Sequence, residues 1–251
     1  MTRKYRHTTL PPPYLRRIWF DGADSPDPEA YPFCLPLFRH GNFELEFDSA
    51  VTIIVGENGS GKSTLLEGIA ALTGFEEGGG GRGIGAVSHD DHTEVGGGKL
   101  AEALKASWLP KVSRGWFFRA ETFFSLARYL EEVGSENADF LSYSHGEGFM
   151  RFFEERCQRP GIFIFDEPEA ALSILRQFEF LKLLRRMQDG GQSQIIIATH
   201  APMLMALPDA RLLYVNKYGL EPIRLEDTEH YRMMREFILD PHGTVETMIW
   251  E

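Results

Sequence analysis

Cysteine is scarce. The 251-residue chain has two, Cys34 and Cys157, too few for a disulfide framework and without the paired spacing of a zinc site. Both read as ordinary reduced thiols. Long apolar runs are missing: none approaches the roughly 18 residues that a membrane-spanning helix needs, so a membrane partner is not expected. The N-terminal stretch MTRKYRHTTLPPPYLRR is basic but has no apolar core. Its proline triplet also breaks any amphipathic transit helix. A cytoplasmic location is the expectation. Positive charge is in deficit, with 26 Lys and Arg against 37 Asp and Glu and a formal net charge of −11. That argues against broad electrostatic binding to nucleic acid, which leaves a basic footprint. It leaves room for a local basic groove or for an acidic subunit of a larger complex. Repeats and sustained heptads are absent too.

What is present is a core-forming chain, 43% hydrophobic, with alternating strand and helix patterns. Phe43, Leu45 and Phe47 alternate with polar residues, as in a half-buried edge strand. Residues 51–55, VTIIV, form a β-branched run suited to a strand buried on both faces. A glycine-rich loop follows, then a helical pattern ending at Gly74. Residues 75–98 are rich in glycine and read as a long mobile loop or frayed hairpin. Helices are expected over 99–107, 122–133, about 147–156 and 172–188, and a strand over 115–118. GIFIFDEPEA and SQIIIATHAP read as central parallel strands, RLLYV continues the series, and TEHYRMMREFIL is a closing helix that stops before Pro241. The pattern predicts an α/β fold with a mostly parallel central sheet and an N-terminal antiparallel β portion.

GENGSGKST fits the phosphate-loop pattern G-x-x-x-x-G-K-[ST], between a buried strand and an amphipathic helix as the motif requires. The nucleotide-binding candidates are Gly56, Glu57, Asn58, Gly59, Ser60, Gly61, Lys62, Ser63 and Thr64. Backbone N–H groups wrap phosphates, Lys62 reaches the β- and γ-phosphates, and the Ser63 hydroxyl suits Mg²⁺. Asp166 ends an apolar strand, where it can hold the same metal. Glu167 follows and points elsewhere because strand side chains alternate, which suits it to orient or deprotonate a water. His200 ends the next strand on the same sheet edge, where open α/β sheets bind ligands. The catalytic candidates are therefore Lys62, Glu167 and His200, and the metal candidates Ser63 and Asp166.

In this order, the phosphate loop, the Ser-X-Gly loop in LSYSHGEGF, Asp166-Glu167-Pro168 and His200 resemble ABC-type ATPases. The likeness runs from about Leu15 to Leu239 and favours the branch with RecF, Rad50 and SMC heads. FFRAETFF, SHGEGF, DEPEAALS and ATHAPMLMALP look like a group of small stand-alone predicted bacterial ATPases within that class. The resemblance implies a P-loop ATPase domain spanning 1–251, in which about 75–158 hold the glycine-rich loop and a small helical signature subdomain. It implies Mg²⁺ and ATP as ligands, an ATP-dependent head-to-tail homodimer and an unidentified protein partner. Ser144 and Gly146 match the signature that contacts the neighbouring subunit's nucleotide. His145 stands where the signature has its first glycine, and Glu147 where transporters carry Gln. Ser173 stands where an Asp is common. In place of the Q-loop glutamine, Arg119 and Glu121 are candidates, the first for phosphate, the second for the metal or its water.

The implied activity is ATP hydrolysis that drives or gates a partner. Alternatives are an ATPase module controlling a nucleic-acid-processing or defence effector, and the nucleotide-binding subunit of a membrane transporter. SHDDH, residues 88–92, has the residue types of a divalent-ion site but reads as a solvated loop. RRIWF and RGWFFR interleave basic and aromatic residues, as single-strand binders do, yet read as ordinary strands with polar ends.

Overall fold

The computed structural model describes residues 10–21, 27–85, 96–132 and 145–250. In chain order its elements are β1 (Leu15–Phe20), β2 (Glu44–Glu46), β3 (Val51–Val55), α1 (Lys62–Thr73), β4 (Gly80–Gly81), β5 (Ile84–Gly85), α2 (Gly96–Ala103), β6 (Leu104–Trp108), β7 (Gly115–Arg119), α3 (Phe123–Glu132) and α4 (His145–Arg156). They continue with β8 (Gly161–Asp166), α5 (Ile174–Asp189), β9 (Ser193–Ala198), α6 (Pro202–Met205), β10 (Arg211–Asn216), β11 (Gly219–Pro222), α7 (Glu229–Leu239) and α8 (Pro241–Trp250).

The apolar runs VTIIV, GIFIFD and SQIIIA are buried along their whole length, so each lies inside a sheet covered on both faces. The main sheet has the order β11-β10-β3-β9-β8-β7-β4-β5. Its five central strands run parallel, while β11, β4 and β5 join antiparallel at the edges. Side-chain alternation splits the core into two layers. Val51, Ile53, Val55, Phe163, Phe165, Ile195 and Ile197 pack with α3, α4 and α5, in a layer dominated by phenylalanine. Within it, Phe118 stacks on Phe165 with centroids 4.7 Å apart, and Phe149 meets Phe153 edge-on at 4.8 Å. Ile54, Ile162, Ile164 and Ile196 face the other way, toward α1, α2 and a second, antiparallel sheet of order β2-β1-β6.

The antiparallel portion is there as expected, and Phe43, Leu45 and Phe47 are buried in it. Other elements differ, and the helix expected to close the chain is followed by a further one, α8 (Pro241–Trp250). Instead of a helix over 99–107, α2 ends at Ala103 and Leu104–Trp108 is a strand. Its burial alternates, and it completes the open edge of β1, with Leu104 opposite Phe20 and Ala106 opposite Ile18. The unpaired edge and the period-2 pattern outweigh the helical propensity of Ala and Lys.

Residues 80–85 form the hairpin β4–β5, and residues 86–95, with the SHDDH cluster, lie outside the described residues. The glycines at 96–98 open a helix where a loop was expected. A Cβ on Gly97 would stand 2.6 Å from Glu67 Cβ, so glycine there lets α2 lie directly on α1.

Candidate nucleotide site

β3 ends at Val55 and the chain turns at once into the phosphate loop. Gly61 adopts φ 101 at the N-cap of α1, a left-handed conformation that glycine takes without a Cβ penalty. The turn aims the helix N-terminus and its free N–H groups into the loop. Lys62 is 4% exposed, and its ammonium donates to the carbonyls of Gly56 (2.9 Å) and Glu57 (2.8 Å). Burial pulls its pKa below the usual lysine value, and Glu167 and Asp166 oppose the shift. Ser60 Oγ is buried with no hydrogen-bond partner. A ready ammonium, an orphaned hydroxyl and a helix N-terminus together fit a bound phosphate chain.

Sheet register places the second half of the site. Arg119, Asp166 and Ala198 lie side by side at the carboxyl ends of β7, β8 and β9. Asp166 Oδ1 accepts from Ser63 Oγ at 3.1 Å, so the two expected metal-binding groups already meet. Burial pushes the Asp166 carboxyl up to about 7, against the pull of Arg119 and Ser63. A cation there would relieve that penalty. Among the described residues no cluster of three or more His, Cys, Asp or Glu could hold a metal alone. One carboxylate and one hydroxyl suit Mg²⁺, which completes its shell with phosphate oxygens and water.

Arg119 is held by carboxylates. It donates to Glu67 at 2.6 Å and Glu121 at 3.3 Å, and its Nε lies 3.6 Å from Asp166. Burial raises the pKa of Glu67, opposed by Arg119. Glu121 itself is 81% exposed. Glu67 carries no motif, and its part here follows only from the packing of α1 beside β7.

Glu167 turns away from Asp166 for a reason other than strand alternation. The strand ends at Asp166, and Glu167 takes φ 46, ψ 52 ahead of a short 3₁₀ turn, Pro168–Ala171. A left-handed non-glycine residue at a functional edge marks stored strain. Its Oε1 lies 3.4 Å from His200 Nε2, an approach that falls short of hydrogen-bond geometry and leaves Nε2 buried without a partner. Burial, and then Lys62, lower the His200 pKa, so the ring is neutral near pH 7.

Two residues beside His200 escaped the sequence reading. Glu169 Oε1 accepts from the His200 backbone N–H at 2.6 Å and so clamps the β9 loop to the β8 loop. Burial raises its pKa. His230, from α7, puts Nε2 3.1 Å from His200 Nδ1. The second glutamate of DEPEA was a visible signal for the first, whereas His230 stands thirty positions from its partner and had none.

Ser144 lies outside the described residues. His145 and Gly146 open α4, and Glu147 accepts from Arg176 at 2.8 Å. Ser173 is the N-cap of α5, accepting from the Arg176 N–H at 3.4 Å, which gives it a structural task where an Asp was the common residue.

The phosphate loop, Ser63–Asp166 and Glu167–His200 thus share one edge of a mostly parallel sheet, the layout of a P-loop nucleotide-binding domain. A family model described as an AAA domain matches residues 37–107. The chain is 25% identical over 216 residues, 73% of its length, to the zinc import ATP-binding protein ZnuC of Saccharophagus degradans, covering 77% of that protein. The SMC head domain from Thermotoga maritima aligns with a TM-score of 0.46 and 16% identity, over 84% of this chain and 99% of that one. No helix among the described residues is long and apolar enough to cross a membrane.

Proposed function

We propose that this chain is a soluble, cytoplasmic ATPase domain that binds Mg-ATP at residues 56–64, dimerises head to tail through it and hydrolyses it to drive or gate a protein partner. The observation that supports this best is the convergence of Lys62, Ser63–Asp166 and Glu167–His200 on one sheet edge. Lys62 would exchange its carbonyl contacts for the β- and γ-phosphates. Ser63 and Asp166 would hold Mg²⁺, which neutralises charge on the phosphate oxygens. Glu167, half-exposed and facing the same space, would orient and deprotonate the attacking water, while His200 Nε2 would steady the γ-phosphate or that water. Arg119 would position Asp166 through its carboxylate contacts. In the dimer, Ser144, His145, Gly146 and Glu147 would face the neighbouring subunit's nucleotide.

Replacing Glu167 with Gln keeps size and hydrogen bonding but removes the base. ATP affinity should stay within about threefold while phosphate release falls by roughly 10²–10⁴. Hydrolysis by Glu167→Gln at the parental rate would remove Glu167 from the mechanism.

A second reading, the nucleotide-binding subunit of a membrane transporter, draws on the zinc-import relative. Against it stands Arg119, tied to carboxylates at the end of β7 where transporters carry the coupling glutamine. Co-purification with a membrane protein would favour it. Stimulation of hydrolysis by DNA at physiological salt would instead favour a nucleic-acid or defence effector.

A further inference from the structure

His200 meets a distant part of the chain. The Thr228 hydroxyl caps α7, donating to the Leu225 carbonyl at 2.7 Å and accepting from the Tyr231 N–H at 3.3 Å. That cap fixes the first turn of α7, whose second residue is His230. The His230 and His200 rings lie 5.0 Å apart, with His230 Nε2 against His200 Nδ1. The other nitrogen of His200, Nε2, is buried and faces Glu167.

A neutral imidazole carries one N–H and one bare nitrogen, and the bond made at one nitrogen decides which is which. A bare Nε2 on His200 would meet the Glu167 carboxylate lone pair to lone pair. A proton on Nε2 avoids that clash, and Nδ1 is then the acceptor facing His230 Nε2, 3.1 Å away.

We propose that His230 is a positioning residue, whose Nε2–H donates to His200 Nδ1 and holds the His200 proton on Nε2, toward Glu167 and the γ-phosphate. This rests on the ATPase reading above. The hydrogen bond also joins the catalytic edge to the helical hairpin α7–α8, so a shift of that hairpin reaches His200 through one contact. None of the residues of α7 or α8 is buried.

Steady-state hydrolysis by a set of variants, each checked for a native melting transition, tests this. Loss of one hydrogen bond predicts about a tenfold fall in kcat for His230→Leu, with KM for ATP within about twofold. His230→Asn, too short to reach, should fall alike; His230→Gln, whose amide can donate, should stay within about threefold of the parent. The double variant His200→Ala/His230→Leu should be no slower than His200→Ala. Parental kcat in both His230→Leu and His230→Asn, or losses that multiply in the double variant, would overturn the role of His230. Parental kcat in His200→Ala would instead overturn the role of His200 on which it stands.

Discussion

Asp166 and Glu167 are chain neighbours with opposite environments. Asp166 is buried and its carboxyl is pushed up to about 7, whereas Glu167 is 41% exposed beyond the strand end. That contrast suits the proposed division of roles, Asp166 holding the metal and Glu167 activating water, since environment sets apart paired carboxylates in other sites. Glu169 offers a test of burial as a cause. Its pKa is raised by desolvation, while its Oε1 serves the His200 N–H. A raised carboxyl favours the folded state below the ordinary glutamate range, and that contribution is lost as pH rises through the folded value. Glu169→Gln keeps the acceptor without the charge. In thermal unfolding of the nucleotide-free protein, its Tm relative to the parent should therefore rise as pH is raised from about 4. Glu169→Ala leaves the N–H unpaired and should lower Tm at every pH. A Glu169→Gln difference that does not change with pH would refute the burial argument. Lys62, Ser63, Asp166, Glu167 and His200 were legible in the sequence because the first four sit in local motifs and His200 follows a recognisable strand. Glu67, His230 and the engagement of Arg119 were not, because α1, α7 and β7 bring them together only in three dimensions.

At the scale of elements, one side chain stitches the two sheets. Gln194, buried in β9, accepts from the N–H groups of Tyr14 (2.8 Å) and Leu15 (2.9 Å) and donates to the Leu15 carbonyl at 3.0 Å. Gln194→Leu leaves these three groups without that partner and should cost roughly 3 kcal/mol in urea unfolding. A loss under about 1 kcal/mol would show that Gln194 does little to hold the antiparallel sheet. The central strands were readable because their apolar runs are unbroken and bounded by Gly, Pro and polar residues. β6 was not: LKASW suits a helix locally, and only the open edge of β1 makes it a strand. The glycines at 96–98 likewise look like loop until α1 lies against them.

Across the whole molecule, the proposed function requires two copies. Each subunit carries a formal net charge of −11, which opposes association of free copies at low salt. In the proposed dimer, Mg-ATP held by the phosphate loop of one subunit and met by the signature of the other would be the bridge. The domain reading of 1–251, with its helical signature portion, belongs to the same proposal. The deciding measurement is the mass of Glu167→Gln in solution, by sedimentation or light scattering, with and without saturating Mg-ATP. The account predicts a monomer without nucleotide and a doubling of mass with it, and no doubling when Ser144→Arg is added although ATP still binds. A Glu167→Gln protein that binds ATP yet stays monomeric at saturation would contradict it.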